Sequence, residues 1–259
     1  MTLGELLEEL RFNVLRDRSD LIAGDTDSLW SDETLLRYIK DAERRFARQT
    51  LILRDSTTPE VVQVRMKQGV TTYPLHASVL SVLTTTYTAP NGGPGPYDLQ
   101  RSGHSLIFQS TPAEAMVWNP AEPYNATLPP GPPLAYYTDE TLVYARQSRV
   151  TLSLYPTPGA NEDGQIVYMR VVRLPMGHYN KECLDRESEI PEDYQLDVLE
   201  WAAYRAQRTF DGDAGAPTSA DQHKAAFAEA VQDAKDEVKR KIFAPTQIRY
   251  GANGSSWTR

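Results

Sequence analysis

Cysteine is almost missing from this chain. Cys183 is the only one in 259 residues, so no intrachain disulfide can form and the fold must rest on a packed core. A lone thiol of this kind reads as a bystander, not a nucleophile. Long apolar runs are missing too. None approaches the roughly 20 residues that a membrane helix needs, so no membrane partner is expected. The opening MTLGELLEEL is acidic and amphipathic, which is not the pattern of a signal peptide. Positive charge is in deficit. Against 35 Asp and Glu stand 27 Lys and Arg, a formal charge of −8. That argues against a surface that grips nucleic acid, but not against one that DNA slides past without sticking.

Catalytic groupings are lacking as well. Gly103-His104-Ser105 misses the second glycine of a nucleophile elbow. His178 and Glu182 stand four apart without the companion histidine of a metalloprotease helix. Asp211 and Asp213 begin like a calcium loop, but Ala216 and Gln222 occupy the positions that need Gly and a bidentate Glu. Gly92-Gly93-Pro94-Gly95 is followed by no lysine or helix start, so it is no phosphate loop. Asn125-Ala126-Thr127 matters as a sequon only in a secreted chain. The remaining histidines, His76 and His223, are scattered. No catalytic site, metal site or cofactor is expected, and the chain reads as a non-enzyme.

What the chain does have is pattern. Hydrophobic content of 40% and charged content of 24% fit a packed globular protein. Four segments read as helices, two near each end. Thr2 and Glu5 have capping-box spacing, and Leu3, Leu6, Leu7, Leu10 and Val14 then make one apolar stripe. Ser31 is a good cap for the second helix. Asp32 and Glu33 suit the positive end of its dipole, and Trp30 and Leu35 have staple spacing. Leu35, Ile39, Ala42 and Phe46 form its stripe, while Arg37, Lys40, Arg44, Arg45 and Arg48 load its other faces. The third helix starts around Ile190-Pro191-Glu192-Asp193, with Leu196, Leu199, Ala203, Ala206 and Phe210 as its stripe. Ser219 is read as the cap of the fourth, whose Phe227, Val231, Ala234 and Val238 point inward.

Between about Thr57 and Leu174 the pattern turns to β. Residues 61–66, 79–83, 105–108, 142–144, 150–155 and 166–172 are rich in branched and aromatic side chains. Pro156 to Gly164 is read as the loop of a hairpin joining the last two, and the stretches 87–98 and 120–133 as long exposed loops. Two readings are open for Tyr87, Tyr97, Trp118, Tyr124, Tyr136 and Tyr137: they fill a β-core, or they form an aromatic binding face. The expected fold class is α+β, an antiparallel helical bundle made by both chain ends, with an inserted β-rich domain and an extended C-terminal tail. The expected boundaries are 1–56 and 189–243 for the two halves of the bundle, 57–188 for the insertion and 244–259 for the tail. Pro245 stops the last helix. The residues beyond it are rich in Gly, Ser and Asn, with Ile248, Tyr250 and Trp257 widely spaced. Such a tail is either a frayed end or a docking peptide.

The stretch Leu29 to Arg48 resembles the second helix of tailed-bacteriophage head-to-tail adaptor proteins, in which a segment of the type Trp-Ser-Asp-x-x-Leu-Leu-x-Tyr-Ile opens a bundle helix. Leu154-Tyr155-Pro156-Thr157-Pro158 and then Gly164 to Arg170 resemble the strand, proline turn and strand of that family. Ile190 to Ala206 is similar to a third segment of the same family. The resemblance implies a structural protein of the virion neck, assembled in the bacterial host cytoplasm as a ring of twelve subunits below the portal. The ring would continue the DNA channel without sequence-specific binding and offer a platform to the tail nozzle or tail-tube proteins. It also implies that the C-terminal segment inserts into the portal. Ile248, Tyr250 and Trp257 would then fill pockets, and Arg249 and Arg259 would pair with acidic portal groups. Arg37, Arg44, Arg45 and Arg48 are candidates for the subunit interface, facing Glu8, Glu9, Asp193 or Asp197 of a neighbour, against the alternative of a solvated face. Rival readings are another tail ring protein, such as a tail terminator or tube component, and a β-domain binding a partner or glycan on a helical stalk.

Overall fold

The computed structural model of the chain describes residues 1–17, 29–88, 97–101, 129–143, 147–210 and 217–242. It mixes helix and sheet and divides into two units. One comprises Met1–Ile52 and Tyr179–Arg259, and the other Leu53–His178.

The helical unit begins with α1, Leu3–Glu8. Thr2 and Glu5 close the capping box, each side chain accepting from the other residue's backbone N–H. The same coil continues over Glu9–Val14 with wider turns, in which Leu15 N–H reaches Leu10 O at 2.9 Å. Leu3, Leu6, Leu7 and Leu10 are buried and Val14 is half-buried. Helix α2, Asp32–Thr50, is capped by Ser31, whose side chain accepts from Thr34 N–H. It ends on Leu51 in the left-handed conformation, φ 56°, where the backbone N–H still bonds Ala47 O.

Helices α4, Gln195–Phe210, and α5, Pro217–Ile242, complete this unit. Leu35, Ile39, Phe46, Leu199, Phe227 and Val231 are all buried. The Phe46 ring lies 5.4 Å from Tyr194 and 6.2 Å from Phe227, and Trp201 lies 5.3 Å from Phe227. These contacts tie α2, α4 and α5 into a shared apolar core. Two details differ from the sequence pattern. Leu196 is exposed, because a short 3-10 turn at Glu192–Tyr194 precedes α4 and the buried arc is set by Val198, Leu199, Ala202, Ala203 and Ala206. Ser219 does not cap α5. The helix already starts at Pro217, and the Ser219 hydroxyl instead donates to Gln207 Oε1 at 3.0 Å.

The second unit holds two sheets. In one, β9 (Ile166–Arg173) is central, with β4 (Val79–Tyr87) antiparallel on one side. On its other side lie β1 (Arg54–Asp55) and β2 (Gln63–Arg65), which pair with different stretches of β9. The short β5 (Tyr97–Asp98) extends the sheet beyond β4. In the other sheet the order is β3 (Thr72–Pro74), β8 (Gln147–Tyr155), β7 (Ala135–Val143), β6 (Gln100–Arg101). Strand β9 alternates over its first part, with Val167, Met169 and Val171 buried and Tyr168 and Arg170 exposed, and Val172 is buried as well. Those inward residues share one core with Tyr73, Tyr136, Val150, Leu152 and Leu154 of the other sheet.

The expected hairpin across residues 156–164 is therefore wrong. Strands β8 and β9 belong to different sheets, and the proline-rich segment crosses from one to the other. The hairpin that forms is β7–β8, in register from Ala135↔Tyr155 to Val143↔Gln147. Proline spacing announced a turn, but strand partners are chosen by which faces must be buried together, a long-range choice. The 61–66 stretch also splits. Pro59–Val62 (α3) is a single helical turn and only Gln63–Arg65 is strand, because Pro59 suits a first helical turn. Tyr87 and Tyr136 are buried in the β-core, 0% and 1% exposed, and Tyr137 is half-buried. For Tyr87 and Tyr136 the core-filling reading holds. Residues 105–108, Trp118, Tyr124 and the side chain of Tyr97 lie outside what the structure describes, as do most of the two long loops.

Candidate functional site

The helical unit carries the chemistry that points outward. On α2 the buried residues occupy one arc and leave Arg37, Lys40, Arg44, Arg45 and Arg48 exposed. Arg37, Arg44 and Arg48 recur at intervals of seven and four residues, which puts them on one stripe. None of the three makes an ion pair with a described residue.

Arg45 behaves differently. Its Cζ sits 3.9 Å from the Trp201 ring centroid, a stacking that holds it against α4. The same seam is closed by Asp41. Its Oδ2 accepts from Trp201 Nε1 at 2.9 Å and from Arg205 Nη1 at 3.1 Å. The sequence grouped Arg45 with the other outward cations. The structure brings Arg37, Arg44 and Arg48 together and gives Arg45 an intramolecular role. No local signal in the sequence marks this, because it depends on a tryptophan 156 positions away.

Beneath α2 lies a polar node that sequence reasoning missed. Glu43 is 2% exposed, and both its oxygens are used. Ser188 Oγ donates to one at 2.7 Å and Tyr179 OH donates to the other. Lys40 Nζ and Arg186 Cζ each stand 5.9 Å from the Tyr179 ring centroid. Burial raises the Glu43 carboxyl above its ordinary range, and the hydrogen bonds from Tyr179 and Ser188 and the Arg186 charge only partly offset that. Burial and the neighbouring Glu43 charge push the Tyr179 phenol strongly upward. The signal was available: Glu43 falls four residues after Ile39 and three before Phe46, on the arc that must be buried.

The segment carrying Tyr179 and Ser188 is held to the start of the chain. Leu3 N–H bonds Arg186 O at 2.7 Å, Gly4 N–H bonds Leu184 O at 2.9 Å, and Ser188 N–H bonds Met1 O at 3.1 Å. The cavity at this node has about 10 Å³ and is lined by Leu3, Glu43, Tyr179 and Arg186 to Ser188. That is room for about one water and too little for a substrate. Among the described residues no cluster of His, Cys, Asp or Glu could hold a metal, and no helix is long and apolar enough to cross a membrane.

Of the remaining sequence candidates, Glu8 and Asp193 are exposed, and Glu9 and Asp197 are half-buried. Burial, then the charges of Glu200 and Asp233, raise the Asp197 carboxyl. Ile248, Arg249, Tyr250, Trp257 and Arg259 lie outside the described residues, since α5 is described only to Ile242.

The outward chemistry described so far is a stripe of exposed arginines on α2, on a mixed helix and sheet scaffold. The chain belongs to the SU10 adaptor protein family, whose model matches residues 1–249, and this is a phage head-to-tail adaptor family. Membership makes it a phage adaptor protein, a structural part of the virion that interacts with other head and tail components. Ile248 and Arg249 fall inside the matched span, and Tyr250, Trp257 and Arg259 fall beyond it. No curated protein matches the chain.

Proposed function

We propose that this chain forms a ring between the portal and the tail, continues the DNA channel and gives the tail its platform. Twelve subunits is the count that reading carries. Family membership over residues 1–249 is the observation that supports it. In this reading, 1–56 and 189–243 are the halves of an antiparallel bundle, 57–188 is the inserted β-rich domain, and 244–259 is a docking tail. The ring sits at the virion neck after assembly in the host cytoplasm. Its lumen wall carries net negative charge, because phosphate contacts summed along a strand would stall DNA passage.

The tail is the attachment device. Ile248, Tyr250 and Trp257 fill portal pockets, while Arg249 and Arg259 pair with acidic portal groups. Ordering such a segment costs about 1–2 kcal/mol per residue in backbone entropy, so a large shared surface is needed to hold it. Buried Tyr87 and Tyr136 take two members away from any aromatic glycan-binding face, which favours the adaptor reading over that rival. The test is a chain ending after Phe243. It keeps every apolar stripe residue of the described helices and should stay folded by circular dichroism. It should lose stable attachment to purified portal rings. Unchanged affinity would reduce the tail to a frayed end and remove the docking claim.

A further inference from the structure

Helices α2 and α5 carry opposite charges on their outer arcs. On α5, Glu229, Asp233 and Asp236 recur at intervals of four and three residues, so they share a stripe as Arg37, Arg44 and Arg48 do on α2. Glu229 and Asp233 are exposed and, among the described residues, have no cation bound to them. Asp236 is half-exposed and shared with Lys239 at 3.2 Å. Asp193, in the turn before α4, and Asp197, in its first turn, lie near this arc. Asp193, Asp233 and Glu237 all act electrostatically on Tyr194, and Asp233 acts on Asp197. Carboxylates thus cluster around Asp233, while Lys239 and Arg240 offset Asp236 at the end of the arc.

The two arcs also point apart. Residues two positions apart on an α-helix are turned by about 200° from each other. Phe46 is two positions from both Arg44 and Arg48, and Phe227 is two from Glu229. The Phe46 and Phe227 rings meet edge-on at 6.2 Å in the core. Residues opposite those rings must therefore face away from each other, cations on one side of the helical unit and carboxylates on the other.

We propose that one copy of the chain docks onto a second head to tail, the Arg37–Arg44–Arg48 arc of α2 seating against the Glu229–Asp233–Asp236 arc of α5. This rests on the reading that the chain assembles with itself, and it names the surfaces. A helix rises about 1.5 Å per residue, so three cations spread over about 16 Å meet three carboxylates spread over about 10 Å. A two-fold contact would instead press like charge on like charge, which is unfavourable. A head-to-tail contact leaves one arc of each sign free at the ends, and such a chain forms a ring when the rotation between copies closes. Arg45 takes no part, since it lies on Trp201. Each exposed ion pair adds little, so the arcs set register and encounter rate more than raw affinity.

The experiment uses the full chain and two exposed double reversals. One carries Arg44→Glu and Arg48→Glu, the other Glu229→Lys and Asp233→Lys. Sedimentation velocity in low-salt buffer follows association over a concentration series. The unsubstituted chain should associate, and added salt should weaken it. Each variant alone should associate about tenfold or more weakly, with an unchanged circular dichroism spectrum. An equal mixture of the two should recover association, because every contact in it can be complementary. Variants that associate as the parent does, or a mixture that fails to recover, overturn the assignment of surfaces. So does a parent chain that stays monomeric throughout. Portal attachment through the tail is read separately, so none of these results touches that claim.

Discussion

The helical unit and the β unit each bury a carboxylate under a hydrogen-bonded cap, and they do so with opposite electrostatic outcomes. In the β unit, Asp55 is 6% exposed. It accepts from the backbone N–H of Thr57 at 2.8 Å and of Thr58 at 3.1 Å, and from Arg173 Nε at 2.6 Å. Burial alone would raise its carboxyl, yet those donors hold it well below the ordinary carboxylate range. In the helical unit, Glu43 receives only two hydroxyls, and there burial prevails. At Asp55 several donors, backbone N–H groups first and then threonine hydroxyls and Arg173, together outweigh desolvation, while the two hydroxyls and the Arg186 charge at Glu43 do not.

The two carboxylates give pH dependences of opposite sign. Asp55 has a depressed carboxyl in the folded chain, so its contribution is present above the unfolded value near 4 and is lost as pH falls below it. Glu43 has a raised one. The folded chain holds its proton more tightly than the unfolded chain, so stability falls as pH rises from the ordinary carboxylate value through the raised one. Acid should therefore weaken the β unit while it tightens the Glu43 node.

The largest effect is expected at the helical core. Phe46→Ala should cost about 3–5 kcal/mol in urea unfolding, since Phe46 is fully buried between Tyr194 and Phe227. Asp55→Asn should cost about 3 kcal/mol near neutral pH, because Arg173 loses its charged partner. That loss should shrink when unfolding is repeated in acid, and a loss that does not change with pH would show that charge is not what Asp55 supplies. Glu43→Gln should move stability the other way, upward at neutral pH by on the order of 1 kcal/mol. It should also flatten the fall of stability that Glu43 causes above the ordinary carboxylate range. A large destabilisation by Glu43→Gln would make the two carboxylates alike and erase the contrast. The smallest effect belongs to Arg45→Ala, about 0.5–1 kcal/mol for the lost stacking on Trp201, with self-association unchanged in sedimentation velocity.

Features that local chemistry enforces were legible along the chain. The Thr2–Glu5 box, the Ser31 cap and the stripes of α2 and α5 were legible, because a cap and a 3.6-residue period are set within a few residues. So was the β-rich character of 166–172, and the family itself could be read from the α2 and α4 segments. Tertiary structure decided the pairings. It put β8 and β9 in separate sheets despite their short connection, and it exposed Leu196 where an apolar spacing pointed inward. It also laid Arg45 on Trp201 and closed Tyr179 and Ser188 over Glu43. It set the basic arc of α2 opposite the acidic arc of α5 across the Phe46–Phe227 contact. Each of these joins residues far apart along the chain, and burial selects such partners by the shape and polarity of whole faces, information that no short window of sequence contains.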